Sequence, residues 1–485
     1  MSTDESIPSS LHPLLSLGLP LSRILPPSST PYQTSLQTYW SLSASSLTPL
    51  AILQPTTPSE LSLILIHLTT TRTPFAVRSG GHTNWPGSNN ISSPGVTIDL
   101  SQLSTNTVAL HPTNDLVDIG PALKWKQVYS HLHAHNLAVP GGREGNVGVA
   151  GLLLGGGNTF FTARHGFACD NVVAYEIVLA SGEVVTASAQ SHSDLFRALK
   201  GGSNNFGIVT KFTMRTVPCS AVWGGMTFYS KALIPTAIES IVEFTDEIEK
   251  DKDNNLVVIF SHQPDFKDVV IATLYVNVVG QEKPAAFKKW LEMPEIMSMV
   301  KMTNLKEMSL EYNIPAGLYD IWFTLSFKND ARILAKASEL HDELVEKLKA
   351  FIPEQDFITQ CLFQPLPAVF AENSAKAGGN VMGLERHGTN GVLFLATVMA
   401  KTAEQETYAY PLVKQWVEDV KAYAAGVDGL LPWVYLNYAD KSQDPLGSYG
   451  EQNLQKIREA AKKYDPEGVF QTLCPGGFKI SKVDG

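Results

Sequence analysis

A histidine that directly follows two adjacent glycines is the first feature of this sequence that could do chemistry. Residues 77–82 read VRSGGH, and Ser88 ends the WPGS string just beyond them. Successive N–H groups of adjacent glycines can form a nest that binds a pyrophosphate, to which the hydroxyls of Ser79 and Ser88 add donors. A neutral imidazole such as that of His82 is nucleophilic. Taken alone, the block fits an exposed histidine on a turn equally well.

A second segment combines many glycines with apolar residues. Eight glycines occur in the eighteen positions 140–157, which read PGGREGNVGVAGLLLGGG. So many glycines disfavour a helix, and the apolar residues disfavour a linker, so we expect a buried backbone wrapped around a large planar ligand. A Rossmann dinucleotide turn is the alternative, although no GxGxxG opens a helix with an acidic residue at the required distance.

The elements that must position these residues fall into four segments. Residues 1–45, rich in Ser, Pro and Leu, predict a loosely packed arm. Residues 46–218 alternate short strands, such as 75–78, with helices and Gly-rich connections. Residues 221–432 predict long strands and amphipathic helices, which indicates an α+β domain. In residues 433–485, a strand over 433–440 precedes a helix over 452–464.

Composition narrows the classes of function. A chain of 485 residues is long enough for two lobes. The net charge of −10 disfavours nucleic acid and anionic membranes as partners, and no apolar run is long enough to cross a bilayer. The first charges are acidic, unlike those of a secretory signal, so we expect a cytoplasmic protein. Four scattered cysteines and histidines spaced by two residues predict neither disulfides nor a metal site.

Five sequence blocks in order resemble one known family. They are VRSGGH (77–82), GNVGVAGLLLGGG (145–157), ACDNVVAYEIVLASGEVV (168–185), LFRALKGGSNNFGIVTKFTMRT (195–216) and YLNYAD (435–440). The chain resembles the FAD-linked oxidases of the vanillyl-alcohol oxidase superfamily, within the berberine-bridge-enzyme-like group of fungal type. The resemblance implies an α+β chain with a two-lobed FAD-binding domain of PCMH type and an α+β substrate domain built on a large antiparallel sheet. It assigns residues 46–218 and 433–485 to FAD and residues 221–432 to the substrate.

The resemblance also implies a set of cofactor-binding residues. FAD is expected to be attached covalently through His82. Further positions that match the family's FAD-contacting residues are Arg78, Ser79, Gly80, Gly81, Ser88, Gly142, Val147, Gly148, Gly151, Gly156, Asn171, Ile208 and Asn437.

Two positions refine this expectation. Many relatives attach FAD a second time through a cysteine, but Glu144 occupies that position here and cannot form a thioether, so attachment through His82 alone is expected. Val147 lies where the family's oxygen-access residue lies, and a small side chain there is typical of relatives that use O2. The sequence therefore favours an oxidase over a dehydrogenase.

The resemblance leaves the catalytic base less certain. Berberine bridge enzymes use a glutamate at the position of Leu395, whereas other relatives use a tyrosine that matches Tyr435 in the string YLNY. A phenol, with a pKa of about 10, is a weak base without a stabilising partner. No partner is evident, although residues 385–387 are expected to face the same cleft. Alternatively, Tyr435 and Tyr438 only pack beside the flavin.

Several side chains are expected to line the substrate wall. They are Tyr319, Trp322, Thr324, Leu395, Thr397, Tyr438 and His165.

The predicted function is an FAD-dependent oxidase. A hydride passes from a small organic substrate, of the secondary-metabolite class, to flavin N5, and O2 accepts the electrons to give H2O2. One alternative is a carbohydrate or alcohol oxidase of the same fold. Others are a non-redox cyclase or isomerase with structural FAD, or a flavin-binding module without turnover. A monomer or homodimer is expected.

Overall fold

The computed structural model describes residues 7–266, 268–311 and 313–483. The strands and helices before residue 220 are β1 (Ile24–Leu25), β2 (Ile52–Leu53), β3 (Phe75–Arg78), β4 (Val96–Asp99), β5 (Val108–Leu110), β6 (Leu116–Ile119), β7 (Leu137–Ala138), β8 (Val172–Val178), β9 (Val184–Ser188), β10 (Ile208–Arg215) and β11 (Val217–Pro218), with α1 (His12–Ser16), α2 (Thr30–Leu36), α3 (Leu42–Ser45), α4 (Pro58–Thr70), α5 (Trp125–His133), α6 (Val149–Leu154), α7 (Thr162–His165) and α8 (Ser193–Ala198).

A small sheet carries the histidine loop. Its strand order is β1-β2-β4-β3, and β2, β4 and β3 run parallel. The helix α4 begins where Thr57 accepts a hydrogen bond from the Glu60 N–H and Pro58 fixes the first helical φ. It buries Leu61, Leu65 and their neighbours against this sheet. Because β3 ends at Arg78, the segment from Ser79 to His82 leaves the sheet at its carboxyl edge.

A second, antiparallel sheet has the order β5-β6-β10-β8-β9. The turn at Gly182, which has a φ of +85°, joins β8 to β9. The second Gly-rich segment follows β7, which pairs with β11 in a separate two-stranded sheet. Residues Val149–Leu154 of this segment form the short helix α6, so the expectation that its glycines exclude a helix was wrong there.

The N-terminal arm is well packed, so the expectation of a loose arm was wrong. Leu11 and Leu14 are fully buried, and β1 pairs with β2. The Leu side chains of the arm supply an apolar face that the helix α4 covers. The arm then reaches the centre of the molecule, where the backbone N–H of Trp40 donates to the carbonyl of Gly81 at 3.0 Å. Residues 1–6 of the predicted arm lie outside the described residues.

The elements after residue 220 form the second large part of the fold. They are β12 (Val222–Ser230), β13 (Asn254–Ser261), β14 (Val270–Asn277), β15 (Glu295–Ser298), β16 (Lys301–Thr303), β17 (Tyr319–Lys328), β18 (Phe357–Leu366), β19 (Gly391–Ala400) and β20 (Leu430–Leu431), with α9 (Ile234–Glu247), α10 (Lys288–Glu292), α11 (Leu305–Glu311), α12 (Ala331–Lys349), α13 (Ala368–Lys376), α14 (Ala403–Gly426), α15 (Pro445–Ser448), α16 (Glu451–Tyr464) and α17 (Val469–Thr472).

These strands build a large antiparallel sheet with the order β15-β12-β14-β13-β18-β19-β17-β20, and β16 also pairs with β12. Every residue of β13, β14 and β19 is buried, so both faces of the central strands are covered. The helices α12 and α14 pack on one face through residues such as Ala337 and Trp416. The predicted α+β architecture with a large antiparallel sheet is confirmed.

The C-terminal segment returns to the first sheet. The Phe75 N–H donates to the Leu473 carbonyl at 2.7 Å, and the rings of Phe75 and Phe470 pack edge to face. The strand predicted over 433–440 is absent. A 3-10 turn, Leu436–Tyr438, takes its place within otherwise extended chain. Within the described residues, no helix has the length and apolar character needed to cross a membrane.

Candidate active site

A cavity of about 290 Å³ lies between the Gly-rich loops and the large sheet. The histidine loop and the loop before α6 form one wall, and strands β17, β18 and β19 contribute the other through side chains such as Trp322, Leu362 and Leu395. The turn at Leu436–Tyr438 closes the space between them. Residues from every predicted segment therefore meet here.

The two Gly-rich loops touch through backbone alone. A Cβ on Gly148 would lie 2.6 Å from the Cα of Gly80, and a Cβ on Gly80 would overlap the Cα of Gly148. Only glycine permits so close an approach at both positions. The contact brings the carboxyl end of β3 against the start of α6, which places His82 opposite Glu144.

His82 is buried in an apolar and aromatic setting. Its ring stacks on the indole of Trp40, with centroids 4.3 Å apart and planes 9° from parallel. Burial lowers the pKa of His82 to about 3, with a smaller contribution from the positive charge of Lys124. The imidazole is therefore neutral near pH 7, the form in which it is nucleophilic.

Glu144 faces this imidazole without bonding to it. Its Oε2 lies 3.6 Å from His82 Nε2, and each of these buried atoms lacks a hydrogen-bond partner within the described residues. The other oxygen, Oε1, accepts from the N–H and the side-chain amide of Asn146. Burial raises the pKa of the Glu144 carboxyl. Because His82 is neutral and the separation exceeds hydrogen-bond range, the two groups do not form an ion pair.

Two hydrogen-bond donors that were not predicted from the sequence contact the oxygen of Tyr435. Its phenolic oxygen accepts hydrogen bonds from the Asn158 N–H at 2.6 Å and from Asn437 Nδ2 at 3.1 Å. Burial raises the pKa of Tyr435, while both donors favour its anion and so oppose that shift. The residues expected as partners do not face the cavity: Glu385 contacts Asn453 at the surface of α16, and that expectation was wrong.

Tyr438 belongs to a polar network on the same side of the cavity. Its oxygen accepts from Arg143 Nη2 and from Gln364 Nε2, each at 2.9 Å. The Gln364 Oε1 accepts from Arg143 Nη2 at 2.8 Å and from Asn158 Nδ2 at 2.9 Å. The rings of Tyr438 and Tyr435 meet edge to face with centroids 4.9 Å apart. The network therefore links both tyrosines to β18.

Many of the residues singled out from the sequence line this cavity. They are Ser79, Gly80, Gly81, His82, Ser88, Val147, Gly148, Gly151, Ile208, Trp322, Leu395, Tyr435, Asn437 and Tyr438.

Four predicted cofactor residues do not line it. The Arg78 guanidinium turns toward α2, donates to the Ser35 carbonyl and covers the ring of Tyr39. Gly142 accepts from the Tyr129 hydroxyl and leaves room for Trp125, so it serves packing. Gly156 adopts a φ of +113°, and Asn171 fixes its own loop by donating to the carbonyls of His165 and Phe167.

Four predicted substrate residues also lie elsewhere. Thr324 donates to the Phe394 carbonyl within the sheet. Tyr319 is three positions from Trp322 on β17 and therefore points to the opposite face. Thr397, on β19, is buried and lies opposite Trp322 of β17. His165 packs near Phe161.

Sequence reasoning missed Trp40, Arg143, Asn158 and Gln364 as parts of the site. Arg143 is a cation in a glycine-rich apolar segment, and Asn158 follows three consecutive glycines. Both positions could therefore have been identified from the sequence as parts of the site. Gln364 lies on β18, a strand that the sequence analysis did not predict. Trp40 lies in the segment that was expected to pack loosely.

Comparison with known proteins gives the cavity a chemical context. The family model described as FAD binding domain matches residues 49–188. The FAD-dependent monooxygenase drtC of Aspergillus calidoustus is 37% identical over 93% of this chain and 86% of its own length. The FAD-dependent monooxygenase sdcF of Emericella nidulans is 36% identical over 95% of this chain and 96% of its own length.

Solved structures show the same fold at low sequence identity. The 6-hydroxy-D-nicotine oxidase of Arthrobacter nicotinovorans has a TM-score of 0.74 and 19% identity over 92% of this chain and 96% of its own. The glucooligosaccharide oxidase of Acremonium strictum, described with a 6-S-cysteinyl, 8α-N1-histidyl FAD, has a TM-score of 0.75 and 17% identity over 98% and 99% of the two chains.

The glycine contacts predict two distinct effects of adding one methyl group. Gly80→Ala forces the two loops apart, so the free energy of unfolding should fall by about 1–3 kcal/mol. The midpoint of thermal unfolding should fall accordingly. Gly151→Ala meets no atom within 4 Å and faces the cavity, so the protein folds normally but contains less FAD. Thermal unfolding and the ratio of flavin to protein absorbance measure the two effects. A native midpoint for Gly80→Ala, or full flavin content for Gly151→Ala, contradicts the respective assignment.

Proposed function

Because the chain belongs to the FAD-linked oxidoreductases of the vanillyl-alcohol oxidase superfamily, in the berberine-bridge-enzyme-like group, we propose that it oxidises a small organic substrate with Tyr435 as catalytic base. The observation that carries this proposal is the Tyr435 oxygen, which lines the cavity and accepts two hydrogen bonds from buried donors. Bound FAD would supply the capacity to accept a hydride from the substrate and to pass the electrons to O2, which would give H2O2.

The cavity fits a large planar cofactor with an anionic tail. The backbone of Gly80, Gly81 and Gly148 borders it without side chains, and the hydroxyls of Ser79 and Ser88 face the same space. The Gly80 N–H donates to the Ser79 hydroxyl here, whereas free backbone N–H groups on such loops bind phosphate oxygens. These residues would hold the cofactor, and Asn437 would contribute its amide.

His82 is the proposed site of covalent attachment. Its ring is neutral, borders the cavity, and is held in one orientation by the stacked Trp40. A fixed and neutral imidazole needs no deprotonation before its nitrogen can act as a nucleophile. Glu144 stands where a second, cysteine-based attachment would require a thiol, so one bond is proposed.

Replacement of His82 tests the attachment. Wild-type protein precipitated with acid should retain its yellow colour, whereas His82→Ala should release all flavin into the supernatant. His165→Ala is the matched control because that imidazole does not line the cavity, so its colour should remain with the protein. Peptide mass spectrometry identifies the modified residue. A flavin carried by any other residue, or a colourless wild-type precipitate, contradicts the proposal.

The surroundings of Tyr435 explain how a phenol can act as a base. The Asn158 N–H and the Asn437 amide point at the oxygen and stabilise negative charge on it. Burial opposes ionisation and raises the pKa of Tyr435 above its ordinary value. Near neutral pH the phenol is protonated in the resting protein, so the fraction able to accept a substrate proton grows as pH rises.

Tyr435→Phe should slow anaerobic reduction of the flavin by substrate by about 10²–10⁴-fold, because the ring stays and only the basic oxygen is lost. In the wild type the reduction rate should rise with pH up to the raised pKa, and the variant should lose this rise. Stopped-flow measurement of flavin bleaching across pH gives both results.

Tyr438→Phe is the matched control for the base. It removes an oxygen from the Arg143–Gln364 network while leaving both donors to Tyr435 in place. Its rate should still rise with pH, but the rise should move to lower pH because Tyr438 contributes to the raised pKa of Tyr435. A Tyr435→Phe protein with a native rate and profile contradicts the assignment.

The names of the curated relatives favour a monooxygenase as the second candidate. Turnover under ¹⁸O2 separates the two reactions. An oxidase releases one H2O2 for each substrate oxidised and leaves the product unlabelled, whereas a monooxygenase transfers one labelled oxygen atom to the product. Val147 lines the cavity, and a small side chain there supports access of O2 in either case.

A further inference from the structure

Arg143 is a buried cation with unused hydrogen-bonding capacity at the cavity wall. The residue is 7% exposed and lines the cavity. Its Nη2 donates to Gln364 and Tyr438, whereas its Nη1 has no hydrogen-bond partner among the residues that the structure describes. A guanidinium stays charged at every pH at which proteins fold.

The side chains around Arg143 orient it without neutralising it. Gln364 and Tyr438 offer only neutral oxygens, and Asn158 holds Gln364 in place from the other side. Within the described parts of the chain, no carboxylate lies within ion-pair distance of the guanidinium. A buried charge without a counter-charge is costly, so the geometry suits an anion that enters the cavity.

The adjacent acid does not fill this role. Glu144 follows Arg143 in the chain, but its Oε1 accepts from both nitrogens of Asn146 and its Oε2 faces His82 at 3.6 Å. Within the described residues, neither carboxylate oxygen lies within ion-pair distance of the Arg143 guanidinium.

The position of Arg143 indicates the substrate rather than the phosphate groups of the cofactor. Its two hydrogen bonds go to β18 and to the turn at Leu436–Tyr438, on the side of the large sheet. Arg143 shares a wall with the glycine nest at Gly80 and Gly81, but its guanidinium bonds across the cavity to groups of the opposite side. Apolar side chains surround the guanidinium side of the cavity, including Trp322, Leu362 and Leu395.

We infer that Arg143 is a substrate-binding residue that selects a small, largely apolar organic anion by pairing Nη1 with a carboxylate, phenolate or enolate oxygen. This inference deepens the proposed function and rests on it. Tyr438 joins the anion site to the base, since its oxygen bonds to Arg143 and its ring packs on Tyr435. The anionic oxygen of the substrate is thereby fixed relative to the atom that loses its proton.

Binding of two isosteric probes to the FAD-loaded protein tests the inference. Benzoate carries the anionic oxygen, and benzamide has the same shape without charge. Titration followed by the change in flavin absorbance should show benzoate binding about tenfold or more tighter, as expected for a buried charge-assisted hydrogen bond. Arg143→Gln should abolish this preference, and Arg143→Lys should restore part of it.

Lys124→Gln is the matched control, because Lys124 is half-buried and lines a neighbouring cavity beside Ser79 instead of the cavity that Arg143 lines. It removes one positive charge and should leave the preference intact. Equal binding of the probes by the wild type, or a preference that survives Arg143→Gln, overturns the inference. Loss of FAD from Arg143→Gln would assign the guanidinium to the cofactor and also overturn it.

The probes are not turned over, so the binding result is independent of the proposed reaction. A benzoate preference that depends on Arg143 upholds the anion site even if Tyr435→Phe retains native flavin reduction. Conversely, a decisive effect of Tyr435→Phe combined with equal probe binding upholds the base and removes the anion site.

Discussion

The backbone contact between Gly80 and Gly148 is the constraint on which the rest of the site depends. Side chains are excluded from both positions, so the loop after β3 and the loop before α6 lie directly against each other. This contact joins two loops that lie far apart in the sequence. It sets His82 opposite Glu144 and leaves Arg143 on the edge that faces the large sheet. A bulkier residue at either position would open the cavity at its narrowest point.

The large sheet completes what the Gly-rich loops begin. The hydrogen bonds of Arg143 and Asn158 to Gln364 connect the first part of the chain to β18, and those of Asn158 and Asn437 define the environment of Tyr435. Apart from the bond of Asn437 to Tyr435, each of these hydrogen bonds joins two different segments of the chain. Such a network holds its members in one geometry, which is what a base and a binding cation require before substrate arrives.

The sequence predicted the fold more fully than the site. Strand β3 and the glycine-punctuated loops carry strong local signals, and both glycine segments line the cavity as expected. Residues 433–440 were predicted as a strand because aromatic residues favour strands. Tertiary contacts instead hold Leu436–Tyr438, directly after Tyr435, as a 3-10 turn. In that turn residues three apart share a side, so Tyr435 and Tyr438 both reach the cavity.

The remaining errors share a physical origin, since they concern contacts between distant segments. Periodicity cannot show that Gln364 faces Arg143, or that Arg78 turns away toward α2. Nor could it show that Trp40, in a segment without a strong pattern, stacks on His82. These partners are defined by the assembled fold alone.

The span of the chain that contributes to the cavity has a consequence for its biosynthesis. The cavity draws on residues as early as Trp40 and as late as Phe478, and the Leu473 carbonyl accepts a hydrogen bond from the backbone N–H of Phe75 in the first sheet. During synthesis the first sheet therefore lacks this partner until the whole large sheet has been made. The cavity is complete only after these late segments have been synthesised, so FAD binds after that point. A truncated or stalled chain could form its glycine loops but not the complete cavity.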